Sequence, residues 1–240
     1  MGLRSCKTNP PQSPLVRGDA VKPPLKRGGL EGFVSKNGVV PVSRSVRSFK
    51  AVVIGVSTGG VAALKLLLPA LPADFPVPVL IVTHITPTAD DGLAVLLDTF
   101  STIRVKEADE EELLVAGTVY LAPANYHLLV ERKGCLSLSI DPPVNFARPS
   151  VDVLFESAAE VYGPELIGII LTGAGNDGSK GLLMIKERGG VTIVQDPADA
   201  EMDSMPKRAL ALLSPEYLVS LKELPVLLME LVAPQSGKIL

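Results

Sequence analysis

The sequence predicts an α/β fold: a wound, mainly parallel β-sheet with helices on both faces and an inserted antiparallel hairpin. Three observations lead there. From Lys50 onward, short β-branched apolar runs alternate with stretches of helical period, the pattern of a parallel sheet covered on both sides. Two of these runs, at 51–56 and 166–172, end in glycine-rich turns that pass directly into helical repeats. Residues 128–140 instead alternate around Glu131-Arg-Lys-Gly-Cys135, which reads as a hairpin inserted into the wound pattern.

Taken in order, residues 1–49 contain Pro10-Pro-Gln-Ser-Pro and Pro23-Pro-Leu-Lys-Arg-Gly-Gly29 without helical or strand period, so a disordered, basic, Pro- and Gly-rich tail is expected there. The body then runs from 50 to 240. Strands are expected at 51–56, 78–83, 103–106 and 117–121, with helices from about Gly60 to Leu68 and from about Ala89 to Phe100. Asp141-Pro-Pro forces a loop after the hairpin. A helix follows within 147–159, with Ser150 as its N-cap and Asp152 in its first turn. Leu166–Thr172 is a buried strand, 179–188 a helix and 191–195 a further strand. Asp196 to Ser204 is an acidic loop, and helices are expected at 206–213 and 224–232.

The net charge of −3 hides an asymmetry: residues 1–50 hold ten Lys/Arg against two Asp/Glu, and the remainder thirteen against twenty-four. An acidic body argues against nucleic acid as its partner, because neutralising phosphates needs a basic face. Cys6 and Cys135 supply neither a disulfide framework nor a metal spacing. A reducing cytoplasm is the expected setting. The most apolar window, 51–72, is interrupted by Lys65, glycines and prolines, so no membrane span is expected.

Chemistry gathers at strand ends. Gly55-Val-Ser-Thr-Gly59 fits a G-x-S-x-G elbow in its strand-to-helix setting. The helix behind it aims its unpaired N–H groups toward Ser57. Ser57, His84 and Asp177 each follow a predicted parallel strand, so all three converge on the sheet edge where ligands bind in such folds. A serine needs a base to remove its proton, and that imidazole needs a carboxylate to fix its tautomer. Backbone N–H groups near Thr58 or Gly59, with the turn at Ala174, would hold an oxyanion.

Other readings stay open. Ser57 could be a helix cap or a phosphate contact, His127 could be the base, and Asp177 could simply cap the helix that follows it. Gly173-x-Gly-x-x-Gly178 with Asp196 matches a dinucleotide fingerprint, although only a short chain follows for a second nucleotide-binding half. Arg148, before Pro-Ser at a helix start, is a substrate contact or a plain salt bridge. Glu110-Glu-Glu112 and the acids at 199, 201 and 203 read as solvated loops. No cofactor is expected, and no metal, since His84, His127 and the scattered carboxylates lack ligand spacing.

Ile54-Gly-Val-Ser-Thr-Gly-Gly60, the strand-end His84, Val119-Tyr-Leu-Ala-Pro123 with His127, Arg148-Pro-Ser-Val-Asp-Val-Leu-Phe155, Gly173-x-Gly-Asn-Asp-Gly178 and Met205-Pro206 together resemble the catalytic domain of the chemotaxis protein-glutamate methylesterases, the CheB family. The resemblance covers about 50–230. It implies a wound sheet with a hairpin, Ser57 as nucleophile, His84 as base and Asp177 as orienting acid. It also implies glutamyl methyl esters on the cytoplasmic part of chemoreceptors as substrates, with glutamine deamidation in some members. Thr83, Ala174, Ala116 and Ser204 depart from the family's usual Gln, Met, Pro and Gly. Residues 1–49 lack the strands and acidic pocket of the family's receiver domain, so control by phosphorylation within the chain is not expected. The rival classes are a nucleotide-binding module and a non-catalytic receptor-binding scaffold.

Overall fold

The structure, a computed structural model, describes residues 48–84 and 92–233. All of these lie in one compact unit, Val46–Leu240. The expected tail falls outside the described residues apart from Ser48 and Phe49, as does the start of the helix expected from Ala89. Phe49 is already buried in the core, so packing begins one residue before the expected boundary.

In chain order the elements are β1 (Ala51–Val56), α1 (Gly60–Leu67), β2 (Val79–Thr83), α2 (Gly92–Phe100), β3 (Arg104–Glu107), β4 (Thr118–Leu121), β5 (His127–Val130) and β6 (Leu136–Ser139). There follow α3 (Val151–Tyr162), β7 (Leu166–Ile170), α4 (Ser179–Glu187), β8 (Val191–Gln195), α5 (Ser204–Leu212), β9 (Tyr217–Val219) and α6 (Leu224–Val232). Seven strands form one sheet in the order β3-β4-β2-β1-β7-β8-β9. Every pairing in it is parallel. β5 and β6 pair antiparallel by themselves, His127 opposite Ser139 and Val130 opposite Leu136. The expected wound sheet and inserted hairpin are both present.

Two hydrophobic layers follow from the two-residue period of the strands. Val52, Ile54 and Val56 of β1 pack with Leu64, Leu97 and Leu228 from α1, α2 and α6. Ala51 and Val53 face the other way, toward Leu154 and Phe155 of α3, Leu182 of α4, Met205 of α5 and Leu128 of the hairpin. All six β1 residues are buried, which is why that strand reads as an unbroken apolar run.

β1 is the topological switch: the chain winds from it to β2 and outward on one side, then returns to β7 and winds outward on the other. Crevices open beyond the carboxyl ends of strands at such points. β9 was not expected from the sequence. It is three residues long, lies at the sheet edge, and leaves Leu218 half exposed, so it carries neither a buried run nor a clean alternation. Among the described residues, no helix is long and apolar enough to cross a membrane.

Candidate active site

Ser57 follows β1 directly. Its N–H donates to the Thr172 carbonyl at 3.0 Å, and its carbonyl accepts from Gly60 N at 2.8 Å. The first bond continues the β1–β7 pairing past the strand ends, and the second closes the turn, so the residue is fixed as the chain turns. Gly59 makes the turn at φ 80°, a left-handed conformation that glycine adopts without strain. The turn is braced from below, because a Cβ on Gly173 would stand 2.1 Å from Met205 Sδ and 2.9 Å from Ser57 Cβ. Only a residue without a side chain lets the two strand-end turns press together there.

His84 follows β2, and its N–H donates to Val56 O at 3.4 Å. Its ring spans the gap between the two turns, with Nδ1 3.1 Å from Ser57 Oγ and Nε2 2.8 Å from Asp177 Oδ2. A carboxylate can only accept, so Nε2 carries the ring proton and Nδ1 offers its lone pair to the serine hydroxyl. His84 keeps a partly open face, with 22% of its side chain exposed against 3% for Asp177.

Asp177 is held by donors on both oxygens. Oδ1 accepts from Asn145 Nδ2 at 2.8 Å, Ser150 Oγ at 2.8 Å, Gly178 N at 3.1 Å and Asp152 N at 3.2 Å. Oδ2 accepts from Val151 N at 2.7 Å besides His84. Val151 and Asp152 open α3, so the carboxylate sits on that helix's N-terminus, where N–H groups and dipole favour an anion. Burial alone raises this carboxyl's pKa, but the bonds from His84, Asn145, Val151 N–H and Ser150 outweigh it and hold Asp177 below the ordinary carboxylate range. Ser150 occupies the N-cap position of α3 without a capping bond; its hydroxyl donates to Asp177, which supplies the cap instead. Ser150 thus stands at the expected N-cap position but lends no capping bond, and Asp177 accepts from the start of α3 as well as from its own neighbour Gly178.

Asn145 and Asp152 form a layer behind the acid that sequence reasoning did not find. The Asn145 amide donates to Asp152 Oδ2 at 2.8 Å as well as to Asp177, and Gly181 N donates to Asp152 Oδ1 at 2.8 Å. Burial pushes the Asp152 carboxyl up and the neighbouring Asp177 charge adds to that, against the bonds from Gly181 and Asn145. The only local signal was an asparagine in a loop, which suits a left-handed turn.

The remaining candidates divide. Ala174 lines a cleft of 260 Å³ together with His84, Asp177 and Arg148. The Thr58 carbonyl accepts from Thr172 Oγ1 at 2.9 Å, while the N–H groups of Thr58 and Gly59 form no hydrogen bond with the described residues. Arg148 is largely committed to the protein: Nε and Nη2 donate to Asn125 Oδ1, and Nη1 donates to the carbonyls of Ile140 and Asp141. It walls the cleft, and one of its five N–H groups has no partner among the described residues. His127 is buried with both nitrogens engaged, Nδ1 accepting from Ser150 N and Nε2 donating to Pro142 O. Asp196 accepts from Ala198 N and closes its own turn.

A serine, a histidine and a buried aspartate joined by hydrogen bonds at the switch point of a wound sheet have the arrangement found in serine hydrolases. Residues 52–228 match the family of CheB methylesterases, and the chain belongs to that family. A relative from Leptospira interrogans is 48% identical over 184 residues, covering 77% of this chain and 95% of its own length. The protein-glutamate methylesterase/protein-glutamine glutaminase 1 of Carboxydothermus hydrogenoformans is 47% identical over 66% of this chain; the match takes up 48% of that longer relative. The crystal structure of the Thermotoga maritima CheB methylesterase catalytic domain superposes with a TM-score of 0.74 at 38% identity, over 77% of this chain and all of that one.

Proposed function

We propose that residues 50–240 form a protein-glutamate methylesterase that works through an acyl-enzyme, with Ser57 as nucleophile, His84 as base and Asp177 as orienting acid. The observation that carries this reading is the hydrogen-bonded line from Ser57 Oγ through His84 to Asp177 Oδ2. Ser57 Oγ attacks the γ-carbonyl of the glutamyl methyl ester while His84 Nδ1 takes its proton. Collapse of the tetrahedral adduct breaks the bond to methoxide, which leaves as methanol with that proton. His84 next removes a proton from water, whose oxygen attacks the acyl-serine; the glutamate carboxylate departs and Ser57 regains its hydrogen. Asp177 stays ionised throughout and stabilises the imidazolium. The N–H groups of Thr58 and Gly59, which have no partner among the described residues, would hold the developing oxyanion together with the turn at Ala174.

The substrate class is the methylated cytoplasmic part of a chemoreceptor. Relatives named for glutaminase activity as well support deamidation by the same route, with ammonia replacing methanol. Methanol release from a methylated receptor fragment tests the reading: the wild type releases it and Ser57→Ala does not. Receptor binding without ester turnover would instead identify a scaffold.

A further inference from the structure

Asn145 and Phe146 form the tip of a two-residue turn. Val144 and Ala147 exchange both backbone bonds beneath it, Val144 N to Ala147 O at 3.1 Å and Ala147 N to Val144 O at 2.9 Å. Both tip residues have positive φ, 51° at Asn145 and 64° at Phe146, the signature of a type I′ turn. Asparagine suits the first position. Glycine suits the second, where a bulky aromatic is strained. Phe146 is nevertheless there, fully exposed, where it contributes nothing to the core.

The turn is fixed with respect to the chemistry. The Asn145 amide is bonded to Asp177 and Asp152, and Arg148 ties the far side to Asn125 and to the carbonyls of residues 140 and 141. Phe146 also lines the cleft that holds His84 and Asp177. That cleft, at 260 Å³, is below the roughly 300–1,000 Å³ of sites that enclose drug-sized ligands. It admits a side chain; the polypeptide that carries the side chain must lie across the rim.

We infer that Phe146 is a substrate-contact residue: an apolar prop, carried by a fixed turn on the rim, that packs against apolar side chains flanking the methylated glutamate of a protein substrate. This rests on the methylesterase reading. The backbone that presents the ring is already fixed, so little backbone entropy is lost when the ring is engaged, and exposed aromatics presented in this way make effective anchors. Strain kept at a functional rim is also the pattern in which backbone outliers recur.

The test compares kcat and KM of the wild type, Phe146→Gly and Phe146→Leu on a methylated receptor fragment and on p-nitrophenyl acetate, an ester that carries no polypeptide across the rim. The expected result for Phe146→Gly is a rise in KM for the protein ester of about tenfold. The ratio of kcat/KM for protein over small ester falls by the same factor, while Tm holds or rises by about 2 °C as the left-handed strain is relieved. Phe146→Leu, which keeps an apolar prop, recovers most of the loss. An unchanged KM for the protein ester overturns the inference and leaves the methylesterase reading intact. A lower Tm with parallel losses on both esters assigns the ring a structural role and overturns it as well. A wild type that cleaves neither ester overturns the reading and the inference together.

Discussion

The Ser57 and Asp177 turns are built alike and furnished oppositely. Each leaves a parallel strand and enters a helix through a left-handed glycine, Gly59 at φ 80° and Gly178 at φ 88°, without a side-chain cap. Around Asp177, six donors converge on one carboxylate. Around Ser57, the amides of Thr58 and Gly59 have no hydrogen-bond partner among the described residues. The difference fits the two tasks proposed for these residues. A group that only orients its neighbour is best saturated, because each satisfied lone pair fixes its position and charge. A group that meets a changing substrate needs donors still free when the charge develops.

The largest test of that division is Ser57→Ala, which leaves the saturated turn intact. Its methanol release should fall by roughly 10⁴- to 10⁶-fold, with receptor affinity retained. Next, Asp177→Asn should lower kcat by about 10⁴, because an amide at that position no longer fixes the imidazole tautomer. It should also change acid stability in a defined direction. The lowered folded pKa of Asp177 means that its stabilisation is present above the unfolded value of about 3.9. That stabilisation fades as pH falls through the folded value. The stability gap between wild type and Asp177→Asn, followed by urea unfolding, should therefore be widest near neutrality and close in acid.

A smaller effect is expected where the two turns touch. Gly173→Ala forces its methyl group against Met205 and Ser57, and a displacement of Ser57 of about 1 Å should cost roughly 10² in kcat. Paired measurement of kcat and Tm separates this from general unfolding. The smallest change should come from Asp152, whose raised pKa gives the opposite sign to Asp177. It costs the wild type stability as pH rises from about 3.9 through its folded value. Asp152→Asn should therefore gain on the wild type as pH rises through that window, whereas Asp177→Asn loses ground to the wild type over the lower window, as pH rises from the folded Asp177 value to about 3.9.

The framework of this site was legible because it is local. β-branched runs that break at glycine announce β1 and β7, and Ser57, His84 and Asp177 are read from their places after strands. What supports them was not legible, because it is tertiary. Ser150 has the sequence signature of an N-cap, yet its hydroxyl and the first amides of α3 turn to a carboxylate 26 residues away in sequence from Val151. Asn145 gave no sign that its amide would join two acids. The turn it begins lacks the glycine by which a type I′ turn is recognised. β9 was hidden by its short length at an exposed edge, where packing imposes little pattern on sequence.

Labelling with a fluorophosphonate tests the central claim most directly, since the reagent traps only a serine whose proton a neighbouring base removes. Peptide mass mapping should find one adduct, on Ser57, in the wild type, with labelling slowed by orders of magnitude in His84→Ala and slowed markedly in Asp177→Asn. Methanol release from a methylated receptor fragment by protein whose Ser57 stays unlabelled, or is replaced by alanine, would contradict the account.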